Sequence, residues 1–103
     1  MGETQPQLTT QTLKVLAILL SRAQDEISGA EIARSTKLAS GTLYPILMRI
    51  EDAGWVESRW EVEDPRELGR PRRRLYQITG LGAKKTRSAF RELVFPLKEF
   101  AWR

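Results

Sequence analysis

Gly41-Thr42-Leu43-Tyr44-Pro45-Ile46-Leu47-Met48-Arg49-Ile50-Glu51-Asp52-Ala53-Gly54-Trp55-Val56-Glu57-Ser58 is the stretch that decides the fold. Leu43, Ile46, Leu47, Ile50 and Ala53 fall on one side at 100° per residue, the mark of a helix with a buried stripe. Ser40 is read as its N-cap, and Gly54 stands at the C′ position, where the chain must leave the helix. The opposite arc carries Gly41, Thr42, Tyr44, Pro45, Met48, Arg49 and Asp52. Near its start this arc is small, hydroxylated and aromatic rather than acidic, with Glu51 and Asp52 only at the far end. Such a face suits a polyanion, whereas a merely wet amphipathic helix is the plain reading. Pro45 cannot donate to the Gly41 carbonyl, so the first turn is expected to be loose or to start late. Trp55–Trp60 follows with the β-rich composition of a strand.

Upstream, Ser28 with Glu31 three residues on makes a capping-box pattern, which predicts a short helix over 29–35 with Ile32 and Ala33 inward. Thr36-Lys37-Leu38-Ala39 is a tight connection, so two capped helices follow one another as a helix-turn-helix unit. A first helix is predicted from Thr9 or Thr10 to about Arg22. Leu13, Leu16, Ala17 and Leu20 form the face read as inward, while Leu8, Val15, Ile18 and Leu19 point away and call for a second cover. Residues 1–7 read as a disordered tail.

Downstream, Asp64-Pro65 and Gly69 are loop signals within 61–69, and Arg73–Ile78 reads as the returning strand. The result is a β-hairpin with a long basic tip. Residues 66–74 hold five Arg and one Glu, so they carry the whole net charge of +4, and the other 94 residues balance at twelve of each sign. Arg70 and Arg72 flank Pro71, which stiffens the tip. Arg73 and Arg74 enter the strand, and alternation sends them to opposite faces. Thr79 caps a last helix reaching towards Arg103, with Phe90, Leu93, Val94, Leu97, Phe100 and Ala101 as its apolar stripe and Pro96 as an expected kink or break. The expected organisation is a tail over 1–7, a DNA-binding domain over 8–79 and a dimerisation helix over 80–103.

Composition excludes much. At 103 residues the chain is one small domain that oligomerisation would help to stabilise. It has no Cys and no His, which removes the thiol nucleophile, the commonest general base and the commonest metal ligands. Its Asp and Glu are scattered, and no Gly-rich phosphate loop is present, so neither an enzyme nor a cofactor site is expected. No stretch approaches the roughly 20 apolar residues that span a bilayer. The polar, acidic start is unlike a signal peptide, and the expected location is the cytoplasm of a prokaryote, on the nucleoid when bound.

Three helices and a two-stranded hairpin with a basic tip are the order of a winged helix-turn-helix, mainly α with a small β-hairpin. The run 41–58 closely resembles the recognition helix and first wing strand of PadR-family transcriptional regulators. Gly69-Arg70-Pro71-Arg72, followed by Tyr76, Thr79 and Gly82, resembles the end of that family's wing and the entry to its last helix. Over about residues 10–90 the resemblance implies a dimeric repressor on a palindromic operator, with the third helix in the major groove and the wing near the minor groove. It implies a dimer built by the last helix with the first, here of the branch whose tail is a single helix. It also implies that a small aromatic effector can act.

On that basis Lys37, Ser40, Thr42, Tyr44, Pro45, Arg49, Arg70 and Arg72 are the candidate contacts to double-stranded DNA. Hydroxyls serve phosphates, Thr42 and Pro45 serve a thymine methyl, and an Arg of the wing serves the narrow groove. Ser40 can be cap, contact or both, and Tyr44 can instead pack on the wing. Leu8, Val15, Leu19, Phe90, Leu93, Leu97 and Phe100 are the candidates for a homodimer. Trp55, Trp60, Phe95 and Trp102 are candidates for an aromatic ligand site or for plain core filler. A winged-helix module that binds another protein is the rival reading, and a basic RNA-binding or architectural protein is a third. Charge gathered in one loop favours the first.

Overall fold

Among the described residues eight elements follow in order: α1 (Thr10–Ser21), β1 (Ile27–Ser28), α2 (Gly29–Thr36), α3 (Ser40–Asp52), β2 (Val56–Trp60), α4 (Pro65–Leu68), β3 (Arg74–Ile78) and α5 (Gly80–Ala101). They are seen in a computed structural model that describes the backbone of residues 5–101 and the side chains of residues 5–93. β2 and β3 pair antiparallel with Val56 opposite Ile78 and Trp60 opposite Arg74, which is the expected wing hairpin. β1, which the sequence pattern does not announce, pairs with the other edge of β3, Ile27 opposite Tyr76, and makes a three-stranded sheet of order β1-β3-β2. The fold is therefore a winged helix-turn-helix, mostly helical with one small antiparallel sheet.

The caps explain where the helices begin. Thr9 Oγ1 accepts from the Thr12 amide at 3.2 Å, and Ser28 Oγ accepts from the Glu31 amide at 3.1 Å. Glu31 does not complete the capping box; its carboxylate pairs with Arg22. α2 ends at Lys37, which takes the left-handed conformation (φ 60°) to turn the chain into α3. Ser40 is not the cap of α3. Ala39 holds that position with no side-chain bond, and Ser40 is the first helical residue, so Pro45 does not delay the start. Gly54 ends α3 at φ +80°, a conformation that a Cβ would strain. The stretch 61–69 is not all loop. Asp64 Oδ1 accepts from the Arg66 amide at 2.9 Å, Pro65 fills the first helical position, and Gly69 closes the turn at φ +68°.

The core unites Val15, Leu16, Leu19, Ile27, Ile32, Leu43, Ile46, Leu47, Ile50, Trp55, Val56, Tyr76, Ile78 and Ala83. This overturns part of the expectation for α1: Leu16, read as inward, is buried, but so are Val15 and Leu19, read as outward. Val15 (0 % exposed) and Leu19 (1 %) are core residues of their own chain and have no surface left to give a partner. Leu13, Ala17, Ile18 and Leu20 are only half-buried. α1 is apolar nearly all round, so periodicity alone could not say which side faced in. Gly82 brings α5 against Trp55, just before β2, where a Cβ would stand 2.0 Å from the Trp55 carbonyl oxygen. α5 runs through Pro96 as one helix, without the expected break. No helix among the described residues is long and apolar enough to cross a membrane.

Candidate nucleic-acid interface

α3 is held by its buried stripe, which leaves Gly41, Thr42, Tyr44, Pro45, Met48, Arg49 and Asp52 exposed. Lys37 and Ser40 are exposed beside its start. Tyr44, 42 % exposed, lies across the beginning of α2, with its hydroxyl 2.6 Å from where a Cβ on Gly29 would stand. A cleft of about 450 Å³ opens here, lined by Ser28, Gly29, Ala30, Tyr44, Trp60, Arg72, Arg73, Arg74 and Tyr76. Tyr44 from the outer face of α3 and the basic flank of the wing thus line one concave surface. The α2 N-terminus, which favours anions, borders it too.

The five arginines of residues 66–74 separate into two kinds. Arg70 forks onto Glu61, with Nη1 to Oε1 at 2.6 Å and Nη2 to Oε2 at 3.0 Å. Arg74 lies over the Trp60 ring, 5.3 Å from its centroid, and donates through Nε to Ser58 Oγ at 3.0 Å. Ser58 in turn donates to Glu51 Oε2 at 2.6 Å, so Arg74 ties the wing to the end of α3. Among the described residues Arg66, Arg72 and Arg73 form no salt bridge. Arg72 donates only to the Glu63 carbonyl, at 2.9 Å. Arg73, just before β3, is exposed and Arg74, its first residue, half-buried, and both line the cleft. Arg70, above all, holds the Glu61 carboxyl well below its ordinary value, to about 2, with help from the Arg73 amide. Burial is the main cause that raises the Tyr76 phenol at the floor of the cleft.

The other candidates lie elsewhere. Leu8 (41 % exposed) precedes α1; on α5, Phe90 is half-buried and Leu93 is 49 % exposed. Leu97 and Phe100 lie outside the residues whose side chains are described. The aromatic ligand site does not assemble from the two described tryptophans. Trp55 is 3 % exposed inside the core, whereas Trp60 is 56 % exposed on the wing. Phe95 and Trp102 lie outside the described side chains. Sequence reading placed Ser58 and Trp60 on the first wing strand and Glu61 in the loop after it, but gave none of them a part in holding the arginines; the signal available was the hairpin register, which sets Trp60 opposite Arg74 and Glu61 beside Arg73.

Known structures share this fold. A PadR family transcription regulator from Clostridium difficile R20291 superposes with a TM-score of 0.74 at 23% identity, covering 91% of this chain and 97% of that one. A transcriptional regulator homologue from Pyrococcus horikoshii OT3 gives 0.76 at 18% identity, covering 89% and 84%. MepR of S. aureus, in complex with DNA, gives 0.68 at 19% identity, covering 92% and 71%. The chain spans about half, 54%, of a mutant MepR chain from a multidrug resistant S. aureus clinical isolate. No curated protein matches the sequence. These likenesses establish the fold. The Transcriptional regulator PadR-like family model matches residues 15–88, most of the chain and all of the winged helix-turn-helix from mid-α1 onward, and the protein belongs to that family.

Proposed function

We propose that the protein is a sequence-specific transcriptional repressor that binds a palindromic operator in duplex DNA as a homodimer. The observation that carries this reading is the shared concave surface, where Tyr44 of the exposed α3 face lines the same cleft as Arg72 and Arg73 of the wing. α3 enters the major groove. There Thr42 and Pro45 meet thymine methyls, while Ser40, Thr42 and Tyr44 give hydroxyl hydrogen bonds and Lys37 and Arg49 meet phosphates. The wing follows the backbone into the adjacent minor groove, with Arg72 and Arg73 as its charge. Two copies present two such surfaces about one helical turn apart. Should a small aromatic effector release the complex, it does so without a site built from Trp55 and Trp60.

Selection from a random pool of duplex oligonucleotides tests the proposal. The expected winner is a palindrome whose affinity falls with salt at a log–log slope of about −0.9 per phosphate contacted. Absence of duplex binding at low salt ends it. Capture of a protein partner under those conditions would favour the winged-helix interaction module instead.

A further inference from the structure

Glu61 is an acidic residue placed where a DNA-binding wing least wants one, directly after β2. Its side chain is only 13% exposed, and each of its oxygens is in use. Oε1 accepts from Arg70 Nη1 at 2.6 Å and from the Arg73 amide at 2.8 Å, while Oε2 accepts from Arg70 Nη2 at 3.0 Å. The Glu61 amide donates to the Arg73 carbonyl at 3.0 Å, so the residue extends the hairpin ladder by one rung with backbone and side chain together. Arg70 then reaches back. Its amide meets the Pro65 carbonyl at 3.3 Å, and its Nη1 meets the Pro71 carbonyl at 3.1 Å. One carboxylate and one guanidinium thus join the end of β2, the exit of α4 and the approach to β3. An exposed single-contact ion pair contributes little, but a forked pair that also takes a backbone N–H has fixed geometry.

We infer that Glu61 and Arg70 are positioning residues of the wing: they hold Arg72 and Arg73 in the orientation that meets DNA, and Arg70 itself makes no DNA contact. The inference rests on the DNA-binding reading above and runs against simple electrostatics, by which deleting a carboxylate next to DNA should tighten binding.

The test compares Glu61→Gln, Arg70→Ala, Arg70→Lys and the double variant Glu61→Gln/Arg70→Ala, by fluorescence anisotropy on the selected duplex. A preorganised side chain saves ordering free energy on binding, so Glu61→Gln and Arg70→Ala should each weaken binding by about 3- to 10-fold. The double variant should be no worse than the weaker single, because one clamp is lost in every case. Arg70→Lys keeps the charge but not the fork and should behave like Arg70→Ala. Unchanged or tighter binding by Glu61→Gln overturns the inference. So does wild-type affinity of Arg70→Lys beside a weakened Arg70→Ala, which would mark Arg70 as a phosphate contact. Amide hydrogen exchange without DNA supplies a separate readout, in which Glu61→Ala, with no side-chain oxygen left to accept, should lose protection at Arg73. If the wild type binds no duplex, the functional reading falls, and undiminished Arg73 protection in Glu61→Ala would still sink the clamp.

Discussion

Tyr44 and Gly29 show how finely the candidate surface depends on single atoms. A Cβ on Gly29 would meet Tyr44 Oη at 2.6 Å and Cε1 at 3.0 Å, which is the free end of a side chain and not backbone. Gly29→Ala should therefore move the ring rather than break the fold, and Ala suits a helix better than Gly. We expect a thermal midpoint at or above that of the wild type, with duplex binding weakened as much as in Tyr44→Ala. Normal binding by Gly29→Ala would show that Tyr44 is not a contact. Glu61 gives a second prediction at this scale. Its carboxyl, ordinarily near 4.5, is lowered to about 2 in the folded chain. A lowered carboxyl favours the folded wing fully above pH 4.5, and that contribution is lost as the pH falls from there to about 2. Carbon-detected NMR should find Glu61 still ionised at pH 3.5, where exposed carboxylates are mostly protonated; a midpoint near 4 would contradict the forked geometry. Neither pair was legible in the sequence. The arginine excess was visible by counting, but which arginine is spent on which carboxylate depends on the register that sets Glu61 opposite Arg73.

Among the elements, those with a period or a cap were legible and those without were not. α3 was read correctly along its buried stripe, since Leu43, Ile46, Leu47 and Ile50 are all buried. β1 has two residues, too few for any alternation, and exists only because β3 offers it an edge. α4 did carry a signature, an Asp cap, Pro at the first position and a closing Gly, but the same residues also spell a loop. α1 is apolar over most of its surface, with Gln11, Lys14 and Ser21 exposed, and its inward face was settled by packing. The family-like Thr79 and Gly82 acquire a physical role here. Thr79 Oγ1 donates to the Gly54 carbonyl at 2.7 Å and accepts from the Gly82 amide at 3.0 Å, while the Thr79 amide donates to the Trp55 carbonyl at 2.9 Å. This knot fastens α5 to the end of α3. Gly82→Ala would drive a methyl into the Trp55 carbonyl, a clash with backbone that cannot swing away. It should cost about 3 kcal/mol, at the upper end of overpacking effects. Thr79→Val removes one cap and one hydrogen bond and should cost about 1–2 kcal/mol. Urea titrations of both variants check the order; an unaffected Gly82→Ala would disprove the close approach of α5.

At the scale of the molecule, α5 explains the shape. The Cα radius of gyration is 15.6 Å and the principal extents are 60 × 34 × 26 Å, whereas a compact chain of this length has a radius near 13 Å. Ala83 and Thr86 anchor the start of α5 in the body, and from Arg87 onward its described residues are half-buried or exposed. A helix that leaves its own core while carrying Phe90 and Leu93, with Leu97 and Phe100 following at helical spacing, fits a second copy of the chain better than solvent. With Val15 and Leu19 assigned to the core, the dimer proposal rests on Leu8 and α5 alone, so α5 is where it can be broken. Leu93→Glu places a charge at a residue 49% exposed in the single chain, so the fold of the body should survive. Sedimentation should find the wild type dimeric at micromolar concentration and Leu93→Glu monomeric. Two linked half-sites bind with an effective concentration that one cannot supply, so the variant should lose about 10²- to 10⁴-fold in affinity for the palindrome. Its affinity for an isolated half-site should stay near that of the wild type. A Leu93→Glu protein that remains dimeric would move the interface off this face of α5, and a wild type that sediments as a monomer would remove the dimer altogether.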